Sequence, residues 1–175
     1  MSRLINNPIT IPDGVDVVVE DGEIQISGEN GELTRPVASG VSVAVTEAGV
    51  DVSPESEDDV AMAGTVGSHI RNMITGVTEG FQKKLEFEGV GYRADVSGGS
   101  LNLEMGYSHE IDLDIPDGLD VSTEDERITV SGPDKAVVGQ FAATVRSVRE
   151  PEPYQGSGIQ YVDETIRRKE GKTAV

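Results

Sequence analysis

The chain has no cysteine and no tryptophan, and only three phenylalanines and four tyrosines among its 175 residues. Without cysteine there are no disulfides and no thiolate metal ligands, although that absence alone identifies no compartment. With so few large aromatics, the core has to be built from Val, Ile, Leu and Ala. The 21 glycines imply many turns, so a β-rich protein is expected. No stretch approaches the roughly 18 apolar residues of a membrane-spanning helix. No basic segment leads into an apolar one near the start, so no secretory signal is expected. A soluble intracellular protein with no membrane partner fits these features.

Positive charge is also scarce, and unevenly placed. Lys and Arg number 14 against 32 Asp and Glu, a net charge of −18. Through Val145 the count is 8 against 27, whereas from Arg146 onward it is 6 against 5. Arg146, Arg149, Arg167, Arg168, Lys169 and Lys172 therefore form the basic end of an acidic chain. Between them, Pro151 and Pro153 favour extended backbone, Gly156 and Gly158 permit close approach, and Tyr154 and Tyr161 offer flat faces. Arginines and aromatics on such backbone suit contact with RNA. An ordinary solvated terminus has the same composition.

The wording of this region goes further than its composition. Pro153-Tyr154-x-Gly156-x-Gly158-Ile159-x-Tyr161-x-x-Glu164, followed by Arg167-Arg168-Lys169-x-Gly171-Lys172, resembles the C-terminal signature of the ribosomal large-subunit protein six family. Gly80-Phe81-x-Lys83-Lys84-Leu85, Gly89-Val90-Gly91-Tyr92-Arg93-Ala94 and Gly106-Tyr107-Ser108-His109 match the same family in the same order. The resemblance implies a non-catalytic constituent of the large ribosomal subunit. It implies binding to large-subunit ribosomal RNA near the stalk base and factor-binding region, mainly through the second domain, beside neighbouring ribosomal proteins. Gln155, Ser157 and Gln160 stand where that family often has Lys or Arg. With the net charge, they resemble a halophilic, archaeal-type form. Molar salt shortens the Debye length to about 3 Å and screens repulsion among surface carboxylates. Hydrated monovalent cations would then be partners of the acidic surface.

The chain reads as a duplication. Val50–Ser53 and the helix-like stretch after it recur as Ile128–Ser131 and its successor, at offsets of 78 and 75 residues. A competing offset of 104 relates Ile11–Gly14 to Ile115–Gly118, but it aligns a hairpin alone. Val15–Val19 and Glu23–Ser27 flank a turn at Glu20-Asp21-Gly22, and Val41–Val45 and Val50–Ser53 flank Ala48-Gly49. A first helix is expected from Ser56, capped by its hydroxyl, with Ala63, Val66, Ile70, Met73, Ile74 and Val77 on its apolar face. In the second copy, one strand over 85–96 pairs with Leu101–Met105. Strands follow at Ile111–Ile115, Val121–Thr123 and Arg127–Ser131. A helix with Pro133 in its first turn then presents Val138, Phe141, Val145 and Val148. The fold class is α+β, two tandem copies of an antiparallel sheet covered on one face by a helix. The expected divisions are 1–80, 81–150 and an extended basic tail, 151–175.

Catalytic and cofactor patterns fail on inspection. Gly171-Lys172-Thr173 would need glycine where Ile166 stands to be a phosphate loop. Gly89-Val90-Gly91 and Gly156-Ser157-Gly158 lack the third glycine of a dinucleotide fingerprint. Asp112, Asp114 and Asp117 mimic calcium ligands, but Gly118 comes one position late and Thr123 occupies the bidentate glutamate's place. His69 has no recognisable catalytic partner. No cofactor or metal site is expected, and no nucleophile–base pair stands out. The candidate RNA contacts are Arg149, Tyr154, Gln155, Gly156, Ser157, Gly158, Tyr161, Arg167, Arg168, Lys169 and Lys172, with Lys83, Lys84, Arg93, Tyr107, Ser108 and His109. Alternative roles exist for several: Lys83 and Lys84 as counter-charges to nearby acids, His109 in a structural hydrogen bond, and either tyrosine of the tail packed on the sheet. A non-ribosomal tandem adaptor that lends a strand to a protein partner is the competing reading, and an enzyme with an acidic cleft a weaker one.

Overall fold

The structure, a computed structural model, describes residues 8–171. Contacts divide the chain into two compact units. The first runs to Phe81 and takes in Pro133–Lys135; the second comprises Gln82–Gly132 and the chain from Ala136 onward. The architecture is α+β, with antiparallel strand pairs and two long helices among the described residues.

In the first unit, β1 (Asp16–Glu20), β2 (Glu23–Gly28) and β3 (Gly31–Pro36) form an antiparallel meander, while β4 (Val41–Thr46) and β5 (Gly49–Pro54) form a hairpin. Asp21 and Gly22 turn β1 into β2 with φ of 51° and 79°, the backbone that an Asp-Gly hairpin turn requires. β3 is absent from the sequence reading because Gly-Glu-Leu-Thr-Arg-Pro carries little strand propensity of its own. Its register with β2, from Gly28↔Gly31 to Glu23↔Pro36, makes it a strand. The helix α1 (Val60–Thr78) starts later than expected, after a 3-10 turn at Glu57–Asp59. The Ser56 hydroxyl donates to the Asp59 carboxylate at 2.5 Å, so it caps no backbone amide. The expected apolar stripe is buried throughout, and it forms one cluster with Ile24, Ile26, Val50 and Val52.

The second unit contains β6 (Phe81–Glu88), β7 (Arg93–Ser97), β8 (Ser100–Glu104), β9 (Ile111–Asp114), β10 (Asp120–Glu124), β11 (Arg127–Gly132), α2 (Lys135–Val148) and β12 (Gly158–Tyr161). Two sheets result, β7-β8-β9 and β10-β11-β6-β12. The single strand expected over 85–96 is therefore two strands in different sheets. The chain breaks at Gly89–Tyr92, where Gly91 has φ 75° and the Tyr92 amide donates to the Gly89 carbonyl at 3.3 Å. α2 begins two residues past Pro133. It buries Val138, Phe141, Ala142 and Val145, and Val148 is half-buried.

Each unit follows one order of meander, hairpin and helix. β5 starts at Gly49 and β11 at Arg127, 78 residues later; α1 and α2 start at Val60 and Lys135, 75 later. The 104-residue register would instead equate the turn before β1 with the turn before β10, which occupy different places. The copies differ at one edge. Among the described residues of the first unit, Ile9 makes a single bridge to Val50, whereas in the second β6 is a full strand. β12 has no counterpart among the described residues of the first unit. It pairs antiparallel with β6 from Gly158↔Glu88 to Tyr161↔Leu85. The stretch read as an extended tail thus contains a sheet strand, anchored by the fully buried Ile159.

An edge strand offers unpaired amides to other chains, and β12 has its outward amides occupied. The Ile159 amide donates to the Arg149 carbonyl at 2.7 Å, and the Tyr161 amide to the Glu164 carboxylate at 3.2 Å. Glu164 in turn accepts from Arg146 Nε at 2.9 Å and Nη2 at 2.7 Å. Truncating Ile159 to Ala should cost about 2–5 kcal/mol of stability, whereas the exposed Val162 should tolerate the same change within about 0.5 kcal/mol. Denaturant unfolding of both variants measures this, and equal losses would contradict the assigned role of β12.

Candidate nucleic-acid interface

The sequence candidates fall into three groups within the second unit. Lys83 and Lys84 are exposed on β6, and Arg93 is exposed at the start of β7, opposite Glu104. Lys83 Nζ lies 5.6 Å from the centre of the Tyr161 ring. Lys83 is thus oriented by an aromatic face rather than by a neighbouring acid. Tyr161 is half-buried, and Tyr154 is 57% exposed, so Tyr154 is the tail tyrosine with a free face.

Tyr107, Ser108 and His109 are exposed in the turn after β8, with the Tyr107 and His109 rings stacked 6.4 Å apart. Arg149 follows α2 directly, and its guanidinium carbon lies 5.0 Å from the Tyr107 ring centre. The Tyr107 hydroxyl donates to the Val148 carbonyl at 2.9 Å. Tyr92 lies beside this cluster, against Gly106. A Cβ on Gly89 would collide with the Tyr92 ring, and one on Gly106 would sit 3.0 Å from it. The glycines of Gly-Val-Gly-Tyr and Gly-Tyr-Ser-His thus make room for one aromatic side chain. Two glycines flanking tyrosines at this separation were the available signal.

In the C-terminal group, Gln155 and the cations Arg167, Arg168 and Lys169 are exposed. Arg168 lies against Gly156, whose added Cβ would be 2.9 Å from its Nη2. Gly158 has φ 142°, and its Cβ would meet the Pro151 Cα at 2.6 Å. Both glycines are buried, so their smallness serves packing within the chain. Ser157 is half-buried, and its carbonyl accepts the Glu152 amide at 3.0 Å. The Gln160 amide nitrogen donates to Glu86 at 2.6 Å. Lys172 lies outside the described residues.

Acidic residues form their own cleft of about 490 Å³, lined by Glu86, Phe87, Glu88, Glu124, Asp125, Glu126, Arg127 and Gln160. No histidine or hydroxyl nucleophile lines it, and no metal-holding group of three acids or histidines occurs among the described residues.

A profile of the family described as ribosomal protein L6 matches residues 11–80 and again 88–162. The chain belongs to the ribosomal protein L6 family. Proteins named "Large ribosomal subunit protein uL6" are similar to it over almost the full length of both partners. That of Hydrogenovibrio crunogenus is 47% identical over 98% of this chain and 99% of its own. That of Nitratiruptor is 48% identical over 99% of each. That of Protochlamydia amoebophila is 49% identical over 99% of this chain and 98% of its own. These relatives are bacterial, so the expected archaeal type is not supported within the L6 family.

Arg146 and Glu164 tie the C-terminal segment to α2. Each is about a quarter exposed. The Arg146 guanidinium holds the Glu164 carboxyl below the usual carboxylate range, aided by the Tyr161 amide and opposed by burial. A depressed folded pKa adds stability above the unfolded value of about 4.3, and that stability is lost as pH falls through the folded value. Glu164→Gln should cost about 1–2 kcal/mol at neutral pH. The gap from the parent should close on acidification through the carboxylate range. Urea titrations at several pH values check this, and a gap independent of pH would remove the ion pair from the account.

Proposed function

We propose that this chain is a structural constituent of the large ribosomal subunit, in the cytoplasm. In this reading it binds large-subunit ribosomal RNA mainly through the second unit and the residues after Arg149, near the stalk base and factor-binding region. Neighbouring ribosomal proteins are its other partners. The observation that carries the reading is end-to-end similarity to proteins named as large-subunit components, at 47–49% identity. The placement of cations supports the asymmetry. Lys83, Lys84, Arg149, Arg167, Arg168 and Lys169 are all at the surface of the second unit. Residues 1–80 and 81–150 serve as two copies of one scaffold, and 151–175 extend the second for RNA contact.

Sedimentation with ribosomal particles that is lost on RNA digestion tests the reading, and retention by a protein partner after digestion would favour an adaptor. Within it, Tyr154→Ala should cost about 1–3 kcal/mol of affinity for large-subunit RNA, because its exposed ring is free to stack on a base. Replacing Arg167 and Arg168 by Gln should lower the salt slope by about two. Filter binding over a potassium chloride series separates the two. Unchanged affinity for both variants would remove the C-terminal segment as an anchor.

We further infer that the chain works in concentrated salt, with hydrated monovalent cations at its acidic surface. A net charge of −18 favours solubility but opposes compaction through self-repulsion, which dilution extends to about 10 Å at 0.1 M salt. Circular dichroism during dialysis from molar to dilute potassium chloride should show loss of structure and of melting temperature. An unchanged spectrum and melting temperature would defeat the halophilic reading.

A further inference from the structure

Arg149 is the cation whose surroundings are hardest to explain by the fold alone. Among the described residues, Arg35 and Arg146 are the arginines with a carboxylate within ion-pair distance. Glu150, next to Arg149 in sequence, reaches Arg146 at 3.7 Å. In a chain with 32 side-chain carboxylates, Arg149 instead lies against a phenol ring, its guanidinium carbon 5.0 Å from the centre of Tyr107.

The Tyr107 ring is itself fixed. Tyr107 spends its own proton on the Val148 carbonyl. The Tyr92 ring fills space left by Gly89 and Gly106. Arg149 is also tethered through its backbone, since its carbonyl accepts the amide of the buried Ile159. A guanidinium has five N–H donors in one plane. A ring against one face limits how that plane turns and leaves the in-plane donors able to reach a partner. A positive charge oriented in this way, with no carboxylate within ion-pair distance among the described residues, is complementary to an anion with paired oxygens.

We propose that Tyr107 positions the Arg149 guanidinium for one phosphate of the large-subunit RNA backbone, so that Arg149 touches the RNA and Tyr107 acts through it. This rests on the ribosomal reading above and refines it, because Tyr107 becomes a positioning residue rather than a stacking platform. A neutral base is the weaker match, since stacking on Tyr107 would have to displace the arginine. An orienting ring is useful in an acidic protein, because a carboxylate in its place would cancel the charge offered to RNA.

The test uses the full-length chain, kept folded in salt as checked by circular dichroism, and deproteinised large-subunit RNA as the probe. Affinity is measured over a potassium chloride series for the parent, Tyr107→Leu, Tyr107→Phe, Arg149→Gln and the double variant Tyr107→Leu with Arg149→Gln. Arg149→Gln should lower the salt slope by about one, the signature of one lost phosphate contact. Tyr107→Leu should weaken binding about 3–10-fold in the parent and have no effect once Arg149 is Gln. Tyr107→Phe should bind much as the parent does, because the ring remains.

Equal weakening by Tyr107→Leu in both backgrounds would overturn the proposal, since the ring would then touch RNA itself. So would weakening by Arg149→Gln alone, with Tyr107→Leu silent. If Tyr107→Leu does not fold, Arg149→Lys carries the test. An ammonium presents no planar fork, so Arg149→Lys should bind nearly as weakly as Arg149→Gln, and parent-like affinity would overturn the positioning role. Failure of the parent itself to bind the RNA would instead reject the ribosomal reading.

Discussion

The antiparallel pairing of β12 with β6 is the constraint on which the rest of the second unit depends. β6 lies between β11 and β12, with Leu85 and Phe87 buried on its inner face. Its alternation puts Lys84 and Glu86 on the other face, as period-two geometry demands. Because Ile159 is buried against this sheet, the chain after α2 must return along β6. That return brings Tyr161 to Lys83, and the Ile159 amide to the Arg149 carbonyl. Glu164 then arrives beside Arg146 and closes the edge. One buried isoleucine and four strand residues thereby determine where the basic end of the chain lies.

The charge distribution follows a related division of labour. Arg146 is neutralised by Glu164 and Glu150 and serves the fold. Lys83 and Arg149 are steadied by aromatic rings. Exposed ion pairs weaken in salt and are worth little in any case. A ring orients a cation without cancelling its charge, which leaves that charge available to a polyanion. The scarcity of aromatics gives this some weight: two of the four tyrosines lie beneath cations.

Much of the fold was legible because the apolar pattern repeats at an offset near 78 residues. Ile70, Met73 and Val77 declare a helix face, and Asp21-Gly22 declares a hairpin. β3 was hidden because its strand state comes from β2, and tertiary pairing overrides weak propensity. The break at Gly89–Tyr92 was hidden because Val90 reads as a strand residue although it is fully exposed. In the candidate site, the residue types were legible but their roles were not. Gly156 and Gly158 read as sites of close approach to a partner, yet the close approach is to Arg168 and to Glu150–Pro151. Such distinctions need to know which segments meet, and spacing along the chain does not contain that information.

The duplication makes the source of asymmetry plain. Both units share the order of meander, hairpin and helix, so a difference in function between them has to come from residues outside that order. Among the described residues they differ at one sheet edge. There the place taken by β6 in the second unit shows, in the first, a single bridge at Ile9. In the second, a full β6 offers a second edge, and the chain beyond α2 is long enough to fill it. Filling that edge stabilises the sheet through Ile159 and also carries arginines and tyrosines to the surface beside it. The same backbone pairing therefore closes the sheet edge and sets where the cations of the C-terminal segment reach the surface.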